Sequence, residues 1–99
     1  MTRRNRLSRS RDFDTVYRAG RSVSTRYLTL YCFTRPDPDD DGEPRLGLAV
    51  SRQVGGAVVR NRVKRRLRES FEAVRDELPE QRDYVLIVRP GLAEAAERL

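Results

Sequence analysis

The sequence predicts a single domain of the α+β class. Two segments, residues 27–33 and 45–52, alternate in character with the period of two that a strand imposes. Residues 57–78 instead repeat apolar side chains three and four apart, which marks one face of a helix. A length of 99 residues suffices for one domain with a modest core and not comfortably for two.

Residues 1–9 read as a basic, poorly ordered arm. Ser10 suits an N-cap and Gly20 a helix-ending position, and between them Phe13, Val16 and Tyr17 fall at i, i+3 and i+4, which predicts a short helix. The first strand, 27–33, sets Leu28, Leu30 and Cys32 on one face and Tyr27, Thr29, Tyr31 and Phe33 on the other. Residues 36–44 hold five acids and no base among prolines and a glycine, and read as a solvated acidic loop rather than a metal site. The second strand, 45–52, opposes Leu46, Leu48 and Val50 to Gly47, Ala49 and Ser51. Joined by one loop, the two strands are expected to pair antiparallel. Their aliphatic faces would make a core. Their other faces combine aromatic with very small residues, which leaves either a hollow with stacking surfaces or a seat for another helix.

Gly55-Gly56 breaks the chain before the long helix, expected over 57–78 and stopped by Pro79. Val59, Val63, Leu67, Ser70, Phe71, Val74 and Leu78 form its core stripe, which centres near Val74 at 100° per residue. Residues 83–89 are nearly all apolar and predict a third strand buried on both faces. Pro90-Gly91 turns the chain into a final helix over 92–99.

Composition excludes several functions. No run of apolar residues is long enough to span a membrane, and none follows the basic N-terminus as a secretory signal requires. The single cysteine, Cys32, falls on the aliphatic face as buried filler and suits a reducing cytoplasm. With no histidine, a typical zinc site or histidine-based acid–base catalysis has no ligand or base.

Charge layout points toward a polyanion. Residues 1–35 carry nine arginines against two acids, and residues 45–68 carry eight bases and no acid. Every basic residue except Lys64 is arginine, whose planar fork grips phosphate bidentately. Within the long helix, Arg60, Arg62, Lys64, Arg65, Arg66 and Arg68 precede a half dominated by acids. A helix prefers the reverse order, by roughly 0.3–1 kcal/mol for each exposed charge near an end. Neighbouring arginines three or four apart also repel. Phosphates at the N-terminal half would relieve both conflicts. Asn61, Arg65 and Arg68 are expected to face outward with Arg62 beside them, while Arg60 and Arg66 flank the core stripe. The remaining readings are a solvated face partly neutralised by Arg65–Glu69 and Arg68–Glu72 pairs, and a surface for an acidic protein partner. RNA is favoured over DNA because Phe13, Tyr17 and Tyr31 lie among arginines, the arrangement that stacks single-stranded bases. Each of the three also fits a core role.

The run Arg60-Asn61-Arg62-Val63-Lys64-Arg65-Arg66-Leu67-Arg68-Glu69 resembles the R-N-R-x-K-R-x-x-R-E signature of the protein subunit of bacterial ribonuclease P. Leu7, Asp12, Phe13, Val16, Tyr17 and Gly20 are similar to that family's first helix, and 46–51 and 83–87 to two of its strands. The resemblance implies a two-layer α/β sandwich like the second domain of ribosomal protein S5, with a left-handed βαβ crossover where strand sterics alone favour the right hand. It implies that catalysis belongs to an RNA subunit and its Mg²⁺ ions, in a heterodimer of one protein with one ribonuclease P RNA. Arg60, Asn61, Arg62, Lys64, Arg65 and Arg68 would contact that RNA, with Asn61 near an RNA-bound ion. Phe13, Tyr17, Thr29, Tyr31 and Ser51 would line a cleft for the 5′ leader of precursor tRNA. Gln53 and Gly56 stand where many members carry Lys or Asn, Tyr17 stands where Phe is common, and the last helix is short. The rival expectation is a ribosomal-type RNA-binding protein or RNA chaperone. A protein-only nuclease fits poorly, because the acids of the long helix are interleaved with arginines.

Overall fold

The most buried strand lies inside the sheet, paired on both edges. A computed structural model describes residues 6–37 and 39–97. Its elements are α1 (Ser10–Ala19), β1 (Arg21–Ser24), β2 (Leu28–Thr34), β3 (Arg45–Val50), α2 (Ala57–Val74), β4 (Arg82–Val88) and α3 (Leu92–Glu97). The order across the sheet is β1-β2-β4-β3, with β4 antiparallel to β2 and parallel to β3. The α+β class is therefore as expected, and α2 makes the crossover between the parallel strands β3 and β4.

The direct pairing expected between β2 and β3 does not occur, because β4 inserts between them. Tyr84, Val85 and Val88 are all buried, and only a central position covers such a strand on both faces. The loop after β2 has the length to step across one strand, roughly 10 Å.

The sheet separates two cores. Leu30, Cys32, Leu46, Leu48, Tyr84 and Leu86 face α2, where Phe71 meets Tyr84 edge-on with ring centroids 6.2 Å apart. Val88, Val50 and Leu28 continue this layer beneath Val63 and α3. Tyr31, Phe33, Val85 and Ile87 face the other way, against α1 and Leu7. Val16 of α1 and Val85 of β4 are fully buried there, and burial of a side chain of this kind contributes roughly 1.5–3 kcal/mol.

Several expectations are corrected. Residues 1–5 lie outside the described residues, but 6–9 are not a loose arm. Arg6 bridges Leu46 in parallel, the Leu7 amide donates to the Leu46 carbonyl at 2.9 Å, and Leu7 is buried. An apolar residue ahead of the helix has an edge strand to lie on, and its burial orders the segment. Ser10 is the first helical residue rather than the cap; Arg9 holds the capping position without a side-chain bond. Gly20 ends α1 at φ −84°, which any residue adopts. Its missing side chain serves close approach instead: a Cβ there would lie 2.5 Å from the Val16 carbonyl oxygen and 2.7 Å from that of Cys32.

The long helix ends at Val74 and passes into a single 3-10 turn, Arg75–Glu77. Its buried face is rotated from the expected centre. Val63 and Phe71 are buried, whereas Ser70 is exposed and Val74 is 41% exposed. Docking of Phe71 on Tyr84 turns that side of the helix toward the sheet.

The acidic loop is not merely solvated. Arg35 is buried, and its guanidinium donates from Nε to Asp40 Oδ2 at 2.7 Å, from Nη2 to the Glu43 carbonyl at 2.8 Å and from Nη1 to Asp83 Oδ1 at 2.7 Å. Arg45 donates to both oxygens of Asp83, at 2.8 and 3.1 Å. One charge network thus ties the start of β4 to both strands beside it. The Arg35 guanidinium holds the Asp40 carboxyl well below the usual carboxylate range. Strand β1 was not anticipated. It is short, polar and exposed throughout, as an edge strand is, and so shows no alternation.

Candidate nucleic-acid interface

Two surfaces gather the residues singled out by sequence, and they lie on opposite faces of the sheet. The first is the outer side of α2. The helix starts after Gly56 without a side-chain cap and has no acid in its first turn, so its amide dipoles and its arginines present the same sign. Asn61, Arg62 and Arg65 are exposed and line one shallow recess with Val58. Arg65 and Arg68 line a second, joined by Arg6 from the far edge of β3.

The rotation of α2 redistributes the basic residues. Arg68, expected to face outward, is half-buried, and so are Lys64 and Arg60, one and two turns before it. Arg66, expected to flank the core, is exposed. Burial depresses the Arg68 guanidinium, and the nearby charge of Arg6 adds to the effect. Arg60 Nε is buried with no hydrogen-bond partner. The neutralising pairs are absent: among the described residues Arg65 forms no ion pair with Glu69 and Arg68 none with Glu72, which instead meets Arg75 at 3.4 Å.

The second surface is the open part of the face that carries α1. Phe13, Tyr17 and Tyr31 come together: the Phe13 and Tyr17 ring centroids are 6.2 Å apart, and Tyr17 meets Tyr31 edge-on at 5.0 Å. Both readings of this face therefore hold in part. Helix α1 covers it where Phe13 lies on Gly47, whose added Cβ would stand 2.7 Å from Phe13 Cζ. Tyr17 remains 37% exposed and Tyr31 half-buried, so stacking surface survives. Burial raises the Tyr17 hydroxyl pKa, with Tyr31 and Asp14 adding to it, so the phenol stays a hydrogen-bond donor at neutral pH. Thr29 is buried, and its hydroxyl lies 3.1 Å from Ser24 Oγ. Ser51, at the end of β3, is exposed.

Sequence reasoning missed Arg89. Its Nη2 donates to Thr29 Oγ1 at 2.8 Å, which places beside this cleft an exposed guanidinium that has no acidic partner among the described residues. Carrying the strand alternation two residues beyond Ile87 would have found it. Arg52, exposed just after Ser51, adds a second charge near the same strand ends.

A protein-held metal does not fit these residues. Among the described residues no three carboxylates or thiols converge, and Asn61 is flanked by Arg62 and Arg65, which repel a cation. No described helix is long and apolar enough to cross a membrane.

The comparisons with known proteins agree on one family. The family model for ribonuclease P matches residues 1–98. The ribonuclease P protein component of Bacillus pumilus is 38% identical over 94 residues, covering 95% of this chain and 76% of that protein. That of a Geobacillus species is also 38% identical, over 96 residues, with 95% and 78% covered. Among solved structures, the Staphylococcus aureus ribonuclease P protein aligns with a TM-score of 0.82 at 30% identity, covering 91% of this chain and 79% of that one. The Thermotoga maritima protein aligns at 0.80 and 33%, covering 95% and 82%. With its signature on α2, its mixed sheet and these matches along nearly its whole length, the chain belongs to the ribonuclease P protein family.

Proposed function

We propose that this chain is the RNA-binding subunit of a ribonuclease P ribonucleoprotein, supporting endonucleolytic maturation of tRNA 5′ ends in the cytoplasm. The outer side of α2 grips the catalytic RNA, and the aromatic cleft takes the 5′ leader of precursor tRNA. The observation that carries this reading is the set of arginines in the first half of α2 that pair with no acid among the described residues, on a helix whose own dipole they oppose. Such an arrangement is stabilised by a polyanion.

On α2, Arg62, Arg65 and Arg68 supply phosphate contacts, with Arg60 and Lys64 at the sheet-side margin. Asn61 offers a neutral amide among them that would lie near an ion held by the RNA, whose phosphates would offset the charge of Arg62 and Arg65. Mg²⁺ belongs to the RNA subunit and supplies the hydrolytic chemistry there; the protein contributes binding and orientation. In the cleft, Phe13, Tyr17 and Tyr31 stack unpaired bases, Ser51, Arg52 and Arg89 address the sugar–phosphate backbone, and buried Thr29 positions Arg89. One protein pairs with one RNA.

Sequencing the RNA that copurifies with the chain from its own cells tests this. A single catalytic RNA species is the expected result. Ribosomal RNA in its place would favour the ribosomal-type reading. Cleavage of precursor tRNA by purified protein with Mg²⁺ alone would overturn the assignment of catalysis to RNA.

A further inference from the structure

Val59, Val63 and Leu67 recur four apart on α2, and Arg62 and Arg66 follow three residues after Val59 and Val63. The apolar and the basic stripe are therefore neighbours on one flank of the helix. That flank faces Leu92 and Ala93 of α3 across a cavity of about 350 Å³, open to solvent on one side. Arg62 and Arg66 are both exposed and border the cavity at its mouth. Among the described residues neither pairs with an acid, and Glu94, which also borders the cavity, forms no ion pair with them. Arg62 also lines the recess that holds Asn61 and Arg65. One guanidinium thus connects the basic outer side of α2 to an apolar hollow.

We infer that this cavity receives one unpaired base of the RNA held on α2, with Arg62 and Arg66 on the phosphates that flank it. The inference rests on the reading that α2 binds RNA and adds a nucleotide subsite to it. The occupant must bring an apolar body and negative charge together, at a place where a polyanion already lies. Single-stranded RNA carries a flat base beside each phosphate and meets both needs. Proteins that take a base out of its stack hold it between apolar side chains in the same way. The volume lies at the lower end of the roughly 300–1,000 Å³ that small-ligand sites occupy, which suits a base rather than a folded peptide segment. Val59, Val63, Leu67 and Leu92 offer no side-chain donor or acceptor, so the base is held by contact area and not read by its edge. A purine, with the larger face, is favoured over a pyrimidine. Phosphate at the mouth also relieves the repulsion between Arg62 and Arg66 at i and i+4. Arg66, which the rotation of α2 leaves in solvent, thereby joins the RNA contacts.

The test measures binding of the full chain to the RNA that copurifies with it, across salt concentrations. Ala93→Leu fills the cavity from α3 and Val59→Met fills it from α2, and neither removes a charge. Each is expected to weaken binding by about fivefold or more, the lower end of the range for one stacked base. The slope of log K against log salt should stay unchanged in both, and the melting temperature should be retained. Arg66→Gln should instead reduce that slope by roughly one. In methyl NMR of the full chain, adenosine monophosphate should shift the Val63 and Leu92 signals, and ribose 5-phosphate, which lacks the base, should not. Wild-type RNA affinity in either filled variant, a loss that tracks a lowered melting temperature, an unchanged slope in Arg66→Gln, or equal NMR responses to the two probes overturns the inference. Wild-type binding separates the failures. If wild type binds RNA and the filled variants bind as well, only the base pocket falls. If wild type binds no RNA, the functional reading falls with it.

Discussion

The ring of Phe13 occupies the space that a side chain at Gly47 would fill: an added Cβ would come within 2.7 Å of Phe13 Cζ and 2.9 Å of Cε1. Glycine at 47 therefore serves packing rather than backbone freedom. Gly47→Ala is expected to displace the ring and destabilise the fold by roughly 1–3 kcal/mol, the usual cost of overpacking. Urea denaturation measures the loss. Phe13→Leu in the same background should recover part of it if the clash is with the ring.

On α2, each arginine that contacts phosphate releases counterions from RNA. Arg65→Ala and Arg68→Ala are each expected to reduce the slope of log K against log salt for RNA binding by roughly one. A salt titration of binding gives the slope directly, and an unchanged slope would assign the residue to structure.

Tyr17 is the most accessible ring of the cleft trio and touches both others. Tyr17→Ala should weaken precursor tRNA by about 1–3 kcal/mol, the range for one stacked base, and leave mature tRNA nearly unchanged. Tyr17→Phe should bind precursor as wild type does. Equal losses on precursor and mature tRNA would remove Tyr17 from the leader site.

The Arg35–Asp40 pair gives the fold a defined acid sensitivity. Asp40 titrates well below its unfolded value near 3.9 because Arg35 binds its charged form. A depressed pKa contributes stability that is full above the unfolded value and is lost as pH falls through the folded one. Stability should therefore decline from about pH 5 downward, and Asp40→Asn should flatten that part of the profile. Asp83→Asn leaves Arg35 buried with one carboxylate fewer and should cost about 3–5 kcal/mol at neutral pH. Thermal denaturation across pH checks both.

Local pattern determined a good deal about this protein. Alternation located β2 and β3, since every second side chain of a strand meets the core regardless of which strand lies beside it, and a nearly continuous apolar run located β4. The apolar spacing of Val59, Val63, Leu67 and Phe71 located α2, and the run of bases before acids singled out its outer side as the candidate site for anions. These are properties of one element and its solvent.

What only the tertiary structure decided depends on partners distant in sequence. Insertion of β4 between β2 and β3 follows from which strand most needs cover on both faces, a competition among strands that no one of them encodes. Docking of Phe71 on Tyr84 rotated α2, brought Arg68 toward Arg6 and left Arg66 in solvent. Burial of Leu7 turned an apparent arm into a sheet edge. Arg89 entered the cleft through a hydroxyl on β2, and Arg35 organised an acidic loop that composition reads as solvated. Long-range packing sets the helix rotation and the single-residue contacts that separate a surface charge from a buried one.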